Sequence, residues 1–174
     1  MAWPNSRLTT YVDGVTPIKA SDLNAIQDAL ISDLITARAW SVPFASFQPS
    51  SAGLTQPAAA TGWVHGTATG RLMMPLQPLA VGDVIASWSV FVNKTSTSGT
   101  LNAALYAHTL ATGALVQVGA TASNSANNPG NIVLTDAPAH VVLAGTTYYV
   151  DLVLSGITGD TTKGGRFNTI PYRP

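Results

Sequence analysis

The sequence predicts a mainly β protein, in which an N-terminal extended segment and a single oligomerising helix precede an antiparallel β-sandwich of jelly-roll-like form. Three observations predict it. Stretches such as "VIASWSVFV" (84–92), "TLNAALYAHT" (100–109) and "TYYVDLVLSG" (147–156) alternate apolar and polar residues, as strands with one buried face do. Turn-forming clusters separate such stretches at "VGD", "TSTSGT", "ATG", "NNPGN", "LAGT" and "TKGG". Helical periodicity is confined to one place, "SDLNAIQDALISDLITARAW" (21–40).

The helix comes first. Ser21 is a natural N-cap, and Asp22 sets negative charge beside the positive end of the helix dipole. Pro17 holds Thr16 extended, so the helix cannot begin much earlier. The capping box is incomplete, with Asn24 where Glu or Gln would reach back. At about 100° per residue, Leu23, Ile26, Leu30, Leu34 and Ala37 gather into one stripe, and Ile31 and Ile35 form a second patch. Two apolar surfaces ask for two partners. A heptad counted from Leu23 meets Asp33 in a core slot, which excludes a long coiled coil and favours a short bundle. Two readings stay open here: the stripe is an oligomer interface with copies of itself, or it covers an open face of its own sandwich.

The run "TTYVDGVTPIKASDLNAIQDAL" (9–30) resembles the short opening module of minor virion proteins of tailed bacteriophages, namely tail fibres, head fibres and spikes. The matching positions are Tyr11, Asp13-Gly14, Ile18, Ala20, Asp22, Leu23, Asn24 and Ile26, with Trp3 as the early aromatic. Lys19 departs from the family, which commonly has a small hydroxylated residue there. The resemblance covers about the first forty residues. It implies attachment to the particle through Trp3, Tyr11 and Ile18, contact with other virion proteins, the start of a homotrimer, and a virion location. It also implies that the outer end of the chain is left free to meet a host surface.

After Trp40, the uncharged run "SVPFASFQPSSAGLTQPAAATG" (41–62) reads as a semi-rigid spacer, because its prolines favour extended backbone. The expected division is therefore an anchoring and oligomerisation module at 1–40, a spacer at 41–62 and a sandwich tip at 63–174. Within the tip, alternation sets Val84, Ala86, Trp88, Val90 and Val92 against Ile85, Ser87, Ser89 and Phe91. It also sets Leu101, Ala103 and Leu105 against Asn102, Ala104 and Tyr106, and Tyr148, Val150, Leu152 and Leu154 against Tyr149, Asp151, Val153 and Ser155. Together with "GRLMMPLQ", "ALVQVGA", "NIVLT", "AHVVLA" and "RFNTIPY", this makes about eight strands at sandwich spacing. The tip is similar to the β-sandwich domains that end many phage fibres.

Composition narrows the function. Charged residues are 9% of the 174, and all eight acidic residues are aspartate. Ordinary soluble domains carry about 25% charge, so solubility here rests on Thr, Ser, Asn and Gly. The formal net charge is zero and the Lys and Arg residues are scattered from Arg7 to Arg173, which gives no basic field for nucleic acid. No apolar run approaches the roughly 18 residues of a membrane span. The opening "MAWPNSRLTT" lacks the charged start and apolar centre of a secretion signal, so the expectation is a chain that folds where it is made, with no membrane insertion. The absence of cysteine removes disulfides and cysteine-bound metals.

No chemistry converges in the sequence. Glycan hydrolysis needs two carboxylates across a bond. Asp13 and Asp22 belong to the anchor, Asp83 and Asp160 sit in turns, Asp136 precedes a loop, and alternation turns Asp151 to the exposed side of its strand. His65, His108 and His140 lie far apart, without metal-ligand spacing. "GDTTKGG" (159–165) only mimics a phosphate loop and reads as a hairpin loop. Trp63, Tyr106, Tyr149 and Tyr172 are the aromatics whose register permits exposure and so a sugar-stacking role, whereas Trp88 reads as core. The sequence thus predicts a non-enzymatic structural protein of a phage or phage-like particle, a short fibre or spike without catalytic, metal or cofactor residues. Its tip would contact a host-surface glycan through residues the sequence does not single out. The alternative is a soluble glycan-binding sandwich outside any virion.

Overall fold

Strand alternation becomes two stacked antiparallel sheets in the computed structural model, which describes residues 20–35, 37–50, 54–55, 62–65, 69–124, 129–155 and 159–172. Helix α1 (Ala20–Ile35) comes first. The strands follow as β1 (Arg38–Pro43), β2 (Gln48–Pro49), β3 (Leu54–Thr55), β4 (Trp63–His65), β5 (Thr69–Pro75) and β6 (Val84–Lys94). The remainder are β7 (Thr100–Thr109), β8 (Leu115–Asn124), β9 (Gly130–Asp136), β10 (His140–Val141), β11 (Thr146–Ser155) and β12 (Thr161–Ile170). Among the described residues, β2-β5-β11-β7-β8 form one five-stranded sheet. The other has the path β10-β6-β12-β4-β3, with β1 added on β12 and β9 on β6.

The inner faces of the sheets meet in one core. Val42, Trp88, Val90, Val92, Leu134 and Phe167 come from the larger sheet, and Leu72, Met74, Leu101, Leu105, Val150, Leu152 and Leu154 from the smaller. All are buried. This is the jelly-roll-like sandwich that alternation predicts, and it faces solvent with polar residues on the outer side of each strand.

Several sequence expectations are corrected. The helix ends at Ile35 rather than at residue 40, and Arg38–Pro43 is a strand running antiparallel to β12 from Arg38↔Thr169 to Pro43↔Gly164. The reason lies in Trp40. Its indole stacks on Phe167 at 6.2 Å, and its N–H donates to Thr169 Oγ1 at 3.0 Å, partners that a strand reaches and a continued helix would not. Ala37 is therefore exposed backbone between helix and strand, off the predicted stripe. The spacer at 41–62 is likewise replaced where the chain is described. β1, β2 and β3 pair with β12, β5 and β4, and Phe47 is buried in the core, so the sandwich starts at Arg38. Its prolines suit edge strands, where a missing N–H breaks no ladder.

Two phase errors have backbone causes. On β6 the inward residue is Ile85, not Val84 or Ala86, because pairing with β12 skips Ala86 between Ser87↔Asn168 and Ile85↔Thr169. That bulge reverses the alternation for the start of the strand. The glycine-rich 159–165 is no hairpin loop from Thr161 onward but the start of β12. A Cβ on Gly165 would stand 2.9 Å from the Ser89 carbonyl oxygen and run into the Met74 sulfur, so glycine here permits close packing in the core.

Trp3, Tyr11 and Ile18, the expected anchoring residues, and the side chain of Leu34 lie outside the described residues. On α1, Leu23 is partly buried, whereas Ile26 and Leu30 are more than half exposed.

Candidate functional site

The outer face of the five-stranded sheet collects the residues with binding chemistry. Core positions Val150, Leu152 and Leu154 on β11 leave Tyr149, Asp151 and Val153 on the opposite side. Register then places Tyr149 beside Tyr106 of β7, Asp151 beside Ala104, and Val153 between Asn102 of β7 and Arg71 of β5. The two tyrosine rings stack at 6.0 Å with planes 25° apart, and both are partly buried. Gln117 of β8 continues the row beyond Tyr106.

Asp151 corrects the sequence reading. It lies on the predicted side of the strand yet is only 3% exposed. Arg71, diagonal to it across the ladder, lies over the carboxylate: Nη2 donates to Oδ2, and Nε donates to Oδ1 at 3.4 Å. The carboxylate hydrogen bond, followed by its opposing charge, raises the Arg71 guanidinium above its ordinary value against the effect of burial. Tyr149 is pushed up from the usual phenol range, first by burial and then by the negative charge of Asp151. Its hydroxyl is therefore a neutral donor at physiological pH.

Small Ala104 between Asn102 and Tyr106 leaves a recess of about 90 Å³, bounded also by Thr121, Asp151 and Val153. The patch thus offers aromatic carbon, an amide, hydroxyls and a guanidinium held in place by a buried carboxylate. It has the composition of a binding surface for a polyhydroxyl ligand, since aromatic surface covers C–H faces while amides, hydroxyls and guanidinium exchange hydrogen bonds. One carboxylate lines the recess, and Arg71 engages it, whereas hydrolysis of a glycoside requires two. Among the described residues, no group of three His, Cys, Asp or Glu could hold a metal ion.

The other sequence candidates separate. Trp63 donates its N–H to the Phe44 carbonyl at 2.8 Å and packs on the core edge. Tyr172 lies over Gly82 at the end of the sandwich, with its backbone N–H bonded to Asp83 at 2.9 Å. His140 sits 3.2 Å from the Tyr148 hydroxyl, and its pKa is lowered by burial. His108 is partly buried on β7, and Asp136 accepts from the Ala120 N–H at 2.9 Å. Arg71, Asn102 and Thr121 were missed as site residues. Alternation in "GRLMMP" does put Arg71 opposite Leu72 and Met74, but only strand order brings β5 next to β11.

No family model matches the sequence, and no curated protein matches it. The fold is similar to that of a solved Clostridium thermocellum chain, the CBM22-1–GH10 modules of endo-1,4-β-D-xylanase 10B complexed with xylohexaose. The TM-score is 0.52 at 10% identity, over 80% of this chain and 28% of that one. This chain thus matches little more than a quarter of that chain's length. A xylan-binding module, CBM15, gives a TM-score of 0.49 at 12% identity, over 79% of this chain and all of the other. At such identities the likeness is one of fold, a β-sandwich.

Proposed function

We propose that this chain is a non-catalytic binding protein whose sandwich takes hold of a glycan on the outer face of its five-stranded sheet. The observation that carries this reading is the Tyr106–Tyr149 pair, stacked beside the Arg71–Asp151 ion pair on an open sheet face. Tyrosine supplies apolar area and a hydroxyl together, and the ion pair holds a planar donor in a fixed direction. The sandwich likeness to a xylanase chain crystallised with xylohexaose supports a sugar as the ligand class. The test is binding to an array of neutral and acidic oligosaccharides, followed by calorimetry on the best ligand. Tyr106→Ala and Tyr149→Ala should each weaken binding about tenfold, the equivalent of ~1.4 kcal/mol. Retention of full affinity by both variants would remove the site.

A second reading concerns where the module is carried. We propose a phage or phage-like particle, with the chain as a short homotrimeric fibre or spike held by residues 1–40. The supporting observations are the resemblance of residues 9–30 to virion anchoring modules and the exposure of Ile26 and Leu30 on one side of α1. Three copies on one particle would raise a weak glycan contact to firm attachment through effective concentration. Antibody labelling of intact particles tests this reading, and unlabelled particles alongside free antigen would refute it.

A further inference from the structure

The end of the sandwich from which α1 departs differs from the opposite end. Register puts Arg38, Val84 and Ile170 there, together with the turns that join Pro75 to Val84, Thr109 to Leu115 and Val141 to Thr146. Backbone hydrogen bonds tie these turns to one another: Gly82 N–H donates to the Val142 carbonyl at 2.9 Å, and Leu110 N–H to the Gly145 carbonyl at 2.9 Å. Their tips carry Val81, Leu110 and Leu143, which are 62%, 61% and 54% exposed. All three line a single recess of about 420 Å³. Single exposed aliphatics are ordinary on a protein surface, whereas three converging on one recess are a patch.

Charge is missing from the same place. The segments "LQPLAVG" (76–82), "LATGA" (110–114) and "VVLAG" (141–145) contain no ionisable residue. Asp83, next along the chain, is engaged by the N–H groups of Ala80 and Tyr172 at 3.0 and 2.9 Å. The far end instead holds Lys94, Asp160 and Lys163. Loss of charge with retained aliphatic exposure is the composition of the centre of a protein–protein contact.

We propose that this end is where copies of the chain meet, with Val81, Leu110 and Leu143 as its apolar contact. The inference rests on the reading that α1 gathers copies of the chain. Its exposed Ile26 and Leu30 and the aliphatic rim belong to one end of one molecule. Copies joined in parallel through α1 therefore bring identical rims side by side, and closed symmetry covers helix stripe and rim together. A different protein would have to match both surfaces at once.

The chain has no cysteine, so a single introduced thiol reports on one position. Maleimide labelling rates of full-length Leu143→Cys and of the exposed far-end control Thr97→Cys would be measured beside the mass in solution, with Leu110→Cys as a second rim reporter. The expected result is an assembled chain in which both rim thiols react at least tenfold more slowly than the control. Ile26→Asp with Leu30→Asp should release both the mass and the protection. An assembled chain with rim thiols as fast as the control overturns the rim contact and leaves helix association standing. Monomers with slow rim thiols assign the recess to the chain's own helix. Monomers with fast thiols overturn both this proposal and the association reading.

Discussion

Helix α1 and the sandwich are written in the same uncharged vocabulary and end in opposite conditions. The sandwich folds its alternation in on itself, so residues from Leu72 to Phe167 lie between two sheets with their backbone groups paired along ladders. The helix satisfies its own backbone but has one amphipathic face and no second element of its kind, and Ile26 and Leu30 remain exposed. A sheet pair can complete a core alone, whereas a single helix stripe needs something to lie against. The contrast assigns stability to residues 38–172 and association to the helix.

That contrast can be broken experimentally. The largest effect should come from Trp88→Ala, which empties a fully buried site between the sheets and should cost about 3–5 kcal/mol in urea unfolding. A loss below ~1 kcal/mol would mean that the sandwich core does not carry the fold.

Next comes Asp160, completely buried at the far end, where Oδ1 accepts from Thr95 N–H at 2.7 Å, Thr95 Oγ1 at 3.0 Å and Ser96 N–H at 2.9 Å. Asp160→Ala strips those donors of their acceptor and should cost about 1–3 kcal/mol by the same measurement. Smaller still should be Ile26→Ser with Leu30→Ser. Where wild type and variant are both monomeric, sandwich unfolding should stay within about 0.5 kcal/mol of wild type. A larger drop would show that the stripe supports its own domain after all.

The smallest effect is pH dependence from His140. Burial favours its neutral form in the folded state and lowers its pKa, whereas the unfolded imidazole takes up a proton near pH 6.5. Its contribution is thus complete above about 6.5 and is lost as pH falls through the folded value. Thermal midpoints should decline on acidification below 6.5, and His140→Asn should flatten that decline. An unchanged profile would show that the imidazole titrates alike in both states.

Much of the sandwich was legible because burial of one face leaves a period of two in the sequence. Leu101, Ala103 and Leu105, and Tyr148 through Leu154, fall inward as alternation says. Legibility failed where the backbone departs from the regular pleat. The skipped Ala86 reverses the phase at the start of β6, and Gly164 and Gly165 look like a loop although they pair within β12. Prolines at 43 and 49 suggest a spacer, but edge strands tolerate them equally. The site was half visible: Tyr106 and Tyr149 were among four aromatic candidates, while Arg71 was not among the candidates and Asp151 was taken for a solvated surface residue.

The sequence by itself determined the fold class, the single helix near the start, the inward sets of the central strands and the poverty of charge. Each of these is a local pattern, set by how side chains repeat along one element. Only the tertiary structure decided that residues 38–49 are strands, that Tyr106 meets Tyr149, that Arg71 covers Asp151, and that Val81, Leu110 and Leu143 share one recess. Those facts depend on which strands are neighbours and which turns share an end. Strand order in a sheet is set by the packing of the whole core, and a period of two says which way a side chain points without saying what it will find there.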